Sequence, residues 1–146
     1  MKLRDFVSLS GLILGATLFT SAKAQAQTLS VINNTPFNFQ TAIVRFFDSR
    51  EYFAVPGNTT ETTYYSFEGS FFSPSVVLTT ADYRKELCYF SGVDSDLTLT
   101  LSYNNCSKEN SDCILRCEGS SNDPDDDILE DTIHVPFSML APFINK

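Results

Sequence analysis

The sequence predicts an all-β fold: a single antiparallel β-sandwich domain of about eight or nine short strands behind an N-terminal signal peptide, with a small β-barrel as the alternative. Three observations carry the prediction. Beyond residue 26 the chain shows no sustained 3.6-residue periodicity, its runs are rich in Thr, Val, Ile, Tyr and Phe, and Asn, Gly, Pro and Ser clusters cut those runs at short intervals. A strict immunoglobulin domain does not fit, because that fold sets a Trp between paired cysteines and this chain contains none.

The elements follow in order. Lys2 and Arg4 give a basic start, Phe6 to Thr20 is apolar, and Ala22-Lys23-Ala24 and Ala24-Gln25-Ala26 both offer the small-x-small pattern of a cleavage site. Residues 1–26 therefore read as an export signal. The apolar run is short for a membrane span and turns straight into polar, β-type sequence, so the mature chain is expected to start at Gln25 or Gln27 without stable membrane insertion. Residues 27–146 form one domain. Thr28 to Ile32 reads as a strand ended by the turn cluster Asn33-Asn34-Thr35-Pro36. Phe37 to Phe47 follows, with Phe37, Phe39, Thr41 and Ile43 on one face and Asn38, Gln40, Ala42 and Val44 on the other. After Asp48-Ser49-Arg50, Glu51 to Val55 is a short strand, and Pro56-Gly57 suits the centre of a type II turn.

Glu61 to Glu68 alternates Thr63, Tyr65 and Phe67 against Thr62, Tyr64 and Ser66. The connection Gly69 to Pro74 leads to strands over Ser75 to Thr79 and Tyr83 to Phe90. The clearest strand sets Leu97, Leu99, Leu101 and Tyr103 opposite Asp96, Thr98, Thr100 and Ser102. Cys113 to Cys117 and Thr132 to Val135 complete the set before a Pro-broken tail.

Charge narrows the partners. Lys2, Arg4 and Lys23 against Asp5 give the signal a net +2, so the −8 of the whole chain becomes −10 for the domain. Such a balance disfavours nucleic acid and anionic membrane surfaces, which need a basic face. Four cysteines, Cys88, Cys106, Cys113 and Cys117, read as disulfides in an exported chain, since their spacing and the single His134 do not make a zinc site. If 113–117 is extended, Cys113 and Cys117 stand about 13 Å apart and do not pair. Cys106–Cys113 with Cys88–Cys117 is the simpler connectivity; Cys88–Cys113 with Cys106–Cys117 is the alternative.

Few residues suggest chemistry. Six acids fall within Asp123 to Asp131, and Asp123, Asp125 and Asp127 have the spacing that opens an EF-hand loop. The register then fails at Ile128 and His134, so calcium is a weak expectation and no cofactor is assigned. Gly-x-Ser-x-Gly, phosphate-loop and His-Glu-x-x-His motifs are absent. Phe71 and Phe72, adjacent aromatics in a turn, are a candidate partner contact. Asn33, Asn58 and Asn105 head N-glycosylation sequons, relevant in a source with that pathway. The expectation is an exported, secreted or periplasmic, non-catalytic binding module that meets a protein or other extracellular ligand. Its alternatives are a small hydrolase built around His134 and the 123–131 acids, or an inhibitor or effector presenting Ser107 to Asp112 or Phe71-Phe72.

Overall fold

A computed structural model describes residues 26–45, 49–65, 73–109, 112–122 and 129–145. Residues 1–25, which hold nearly all of the expected export signal (1–26), and Phe71, Phe72, Asp123, Asp125 and Asp127 lie outside the described residues. Among the described residues nine strands form two sheets: β1 Gln27–Asn33, β2 Phe39–Val44, β3 Arg50–Val55, β4 Thr60–Tyr65, β5 Ser75–Thr80, β6 Glu86–Phe90, β7 Leu97–Asn104, β8 Asp112–Ser121 and β9 Leu129–Pro136. One sheet runs β4-β1-β7-β8-β9 and the other β3-β2-β5-β6. The fold is thus the sandwich rather than the barrel. Every pairing is antiparallel except β1 with β7, which is parallel.

Period-two alternation fills the space between the sheets. Leu29 and Val31 of β1, Leu97, Leu99 and Leu101 of β7, and Leu115 of β8 face Phe39 and Ile43 of β2, Val76 and Leu78 of β5, and Phe90 of β6 in one buried cluster. Cys88–Cys117 crosses that core. It joins β6 of one sheet to β8 of the other at a Cα separation of 6.5 Å, so it ties the sheets together rather than neighbouring strands. Cys106–Cys113 closes the β7–β8 connection at 4.3 Å. Both pairs are those of the simpler connectivity.

Local chemistry shifts three expected boundaries. The strand expected from Tyr83 begins at Glu86, because Asp82 accepts hydrogen bonds from Thr80 Oγ1 and the Arg84 amide and bends the chain, leaving Tyr83 at φ 63°. The β3–β4 turn takes its positive φ at Asn58, φ 58°, and not at Gly57. Gly57 is instead needed for close approach, since a Cβ there would stand 2.6 Å from the carbonyl carbon and oxygen of Pro36. The Pro-broken tail is ordered: α1 Phe137–Leu140 and a 3₁₀ turn over Ala141–Phe143 bury Leu140. Beyond them, Asn145 bonds through its amide to Pro36 O and through its side chain to Gly57 O.

Asn33 organises that end of the sandwich. It is 1% exposed, and its Nδ2 donates to the carbonyls of Phe37, Val55 and Pro56 while its Oδ1 accepts from the amide and hydroxyl of Thr35. One buried amide therefore holds β1, the 35–37 segment and the β3–β4 turn together.

Candidate functional site

The two outer faces differ in kind. On the five-stranded sheet the outward row Thr62, Ser30, Thr98, Ser120 is short and hydroxylated, and Arg116 pairs with Glu118 and Glu130 farther along. These carboxylates hold the Arg116 guanidinium above its ordinary pKa, chiefly through the hydrogen bond it donates to Glu130.

The four-stranded sheet instead presents tyrosines. Its register aligns Tyr52, Ala42, Val77 and Tyr89 as one row across β3, β2, β5 and β6. Ala42 is 0% and Val77 1% exposed although strand alternation points both away from the core. Tyr52 and Tyr89 are 40% and 58% exposed at its two ends. The 81–85 connection leans over the same face: Tyr83, 54% exposed, meets Tyr52 edge to face with ring centroids 4.9 Å apart, and Glu86 receives Arg50 at 2.8 Å. A bulky residue at positive φ is uncommon and draws attention to Tyr83. Its backbone is held by the amide bond to Thr80 O and by the Asp82 bend. The Asp82 carboxyl lies below its ordinary pKa, first through the Thr80 hydroxyl and then through the Arg84 amide and guanidinium. Ser75 Oγ and Tyr89 Oη share a hydrogen bond at 2.9 Å, which fixes the outer end of that ring.

The sequence-derived candidates do not converge on this face. His134 is exposed on β9, in register with Ile114 on the outer side of the other sheet. Glu130, nearest to it among the described acids of the 123–131 segment on that side of β9, is taken up by Arg116. Among the described residues no group of three or more His, Cys, Asp or Glu is placed to hold a metal ion. Of the three sequon asparagines, Asn58 and Asn105 are exposed and Asn33 is buried with its amide fully engaged, so a glycan cannot be carried at Asn33 in the folded domain. An open cleft of about 670 Å³ lies beside the tail, lined by Lys108, Asp112, Phe137 and Ile144 among others. His134 does not line it.

Reasoning from sequence missed Tyr52, Tyr83 and Tyr89. Signals for two of them existed: Cys88 in a core disulfide turns Tyr89 outward, and the alternation of Phe53 against Tyr52 does the same on β3. Comparison with protein-family models, curated proteins and solved structures finds no match to the chain.

Proposed function

We propose that this is an exported, non-catalytic binding module, delivered to the periplasm or cell exterior by residues 1–26, and that it engages its ligand through the tyrosine face of the four-stranded sheet. One observation carries the reading: Tyr52, Tyr83 and Tyr89 stand exposed together on one face, seated on a row whose small members are fully buried. Tyrosine gives large, rigid contact area at low entropic cost, with a hydroxyl that tolerates water when the site is empty. The two disulfides suit an oxidising compartment and stiffen the platform from beneath. No acid, base or nucleophile set is invoked.

The test uses the mature domain and the envelope and extracellular material of the producing cell. Sedimented material should retain the wild type and the Tyr64→Ala variant, whose ring is 70% exposed on the other sheet. Tyr52→Ala with Tyr89→Ala should be released. Equal retention of all three would refute the assignment of the face. Intact-mass measurement of exported material should find a start at Gln25 or Gln27, and recovery of the uncleaved chain would refute the export step.

A further inference from the structure

We infer that the occupant of the tyrosine face is an uncharged, hydroxyl-rich oligosaccharide, an inference that rests on the binding reading above. The first argument is charge. Of the seven Lys and Arg residues beyond residue 26, four surround this sheet: Arg45, Arg50, Arg84 and Lys85. The three arginines are each paired, with Glu51 at 3.2 Å, Glu86 at 2.8 Å and Asp82 at 3.3 Å respectively. Among the described residues of this face only Lys85 adds a charge beyond these pairs, so its described part is close to neutral on a domain of net −10. A cation or a basic protein, which the domain as a whole attracts, finds no net negative surface among the described residues here. An acidic polymer finds arginines already neutralised.

The second argument is area. With exposures of 40%, 54% and 58%, the three rings offer about 300 Å² in all, given roughly 150–250 Å² per aromatic side chain. A stable protein interface takes about 800 Å² from each partner, so the platform is small for a second protein or a second copy of this chain.

The third argument is chemistry. Tyr52 and Tyr89 are separated by three strand spacings, about 14 Å, which suits several linked sugar rings better than one. The apolar C–H face of a pyranose lies on an aromatic ring, while its hydroxyls need donors and acceptors at the ring edge. Those stand around the tyrosines: the Ser75–Tyr89 hydroxyl pair, the Arg50–Glu86 ion pair, and Gln40 in the next outward row.

Because the chain has no Trp, its intrinsic fluorescence reports tyrosine alone. The mature domain is titrated with cellohexaose, maltohexaose, mannohexaose and chitohexaose, followed by that fluorescence and by calorimetry. Saturable binding of at least one is expected, with little change between about 0.05 and 0.5 M salt, as suits an uncharged ligand. Tyr52→Ala, Tyr83→Ala and Tyr89→Ala should each weaken it about tenfold or more, and Tyr64→Ala should not. Tyr89→Phe, which keeps the ring and removes only the hydroxyl, should retain most of the affinity and guards against a folding defect in the alanine variant. The inference is overturned if all four sugars fail to bind, if binding is insensitive to the three tyrosines, or if sedimentation shows a dimer that the tyrosine variants dissolve. Should the sugars fail while retention on envelope material still depends on Tyr52 and Tyr89, the carbohydrate is wrong and the binding face stands; should both fail, both fall.

Discussion

Truncating Asn33 to alanine tests whether one buried amide holds an end of the sandwich. The side chain makes five hydrogen bonds, three donated by Nδ2 and two accepted by Oδ1. Their loss is not uniform. Pro56 O keeps the Thr59 hydroxyl at 2.8 Å, and Phe37 O keeps only a long contact of 3.5 Å from Thr35 Oγ1. The Thr35 amide loses the acceptor it has at 3.1 Å in a region where Thr35 is 0% exposed. An unmade buried amide costs about 1–3 kcal/mol, and each weakened carbonyl adds roughly 1 kcal/mol, for a total of about 3–5 kcal/mol. That is a large share of the roughly 5–15 kcal/mol typical of a whole domain. In thermal terms, about 4 °C per kcal/mol predicts a fall of roughly 12–20 °C. Urea unfolding of the oxidised mature domain is the assay, with Asn34→Ala as control because Asn34 is exposed and its backbone bond to Leu101 O survives the change. The control should move by no more than about 0.5 kcal/mol. If Asn33→Ala loses less than about 1 kcal/mol, the amide is not the organiser described here, and Asn33 reverts to an ordinary turn residue.

Other expectations follow from the same structure. Gly57→Ala drives a Cβ into the backbone of Pro36 at 2.6 Å, where no side chain can move aside, and should cost about 1–3 kcal/mol in the same urea assay; a neutral result would mean the 35–36 segment shifts freely. Tyr65 donates its hydroxyl to Ser95 O, and burial, then Asp96 and Asp94, push its pKa up to about 12. Because the folded pKa lies above the ordinary phenol value of 10.0, the neutral phenol's contribution is whole below about pH 10 and lost as pH rises toward 12, so Tyr65→Phe should flatten the alkaline fall in melting temperature; an unchanged pH profile would refute it. Asp96 accepts the Thr28 amide at 2.7 Å, which holds its carboxyl below the usual range. Its contribution is present above the unfolded carboxylate pKa and disappears as pH falls through the folded value. The difference between wild type and Asp96→Asn should therefore close in acid, and a gap that persists there would count against the hydrogen bond as its cause. Replacing Cys88 and Cys117 together by alanine opens a bridge spanning 29 positions, with an expected loss of about 3.5 kcal/mol from chain entropy, whereas a loss below about 1 kcal/mol would show that packing alone registers the two sheets.

What the sequence disclosed and what it withheld divide along a physical line. Alternation within one strand needs no partner, so the inward set Leu97, Leu99 and Leu101, the strand count and the exclusion of a Cys113–Cys117 bridge were all legible. The tyrosine row depends on register across four strands whose order, β3-β2-β5-β6, places β5 beside β2 and sends β4 to the other sheet, and no local pattern encodes that. Asn33 misleads for the reverse reason: in isolation it belongs to a turn and a sequon, and only the return of the 55–56 and 37 carbonyls to one point buries it. A subtler signal lay in residue choice. Five of the six tyrosines are exposed, at 39–70%, and only Tyr65 is buried, with its hydroxyl bonded to a carbonyl. The described phenylalanines, 37, 39, 53, 90, 137 and 143, are all buried or half-buried. A phenol hydroxyl is costly to bury without a partner and free to leave in water, so in a chain without Trp the choice of Tyr over Phe marks which rings face outward. Applied to Tyr52, Tyr83 and Tyr89 before any register is known, that rule finds the rings, and the sheet order then explains why those three share a surface while Tyr64 and Tyr103 belong to the other sheet.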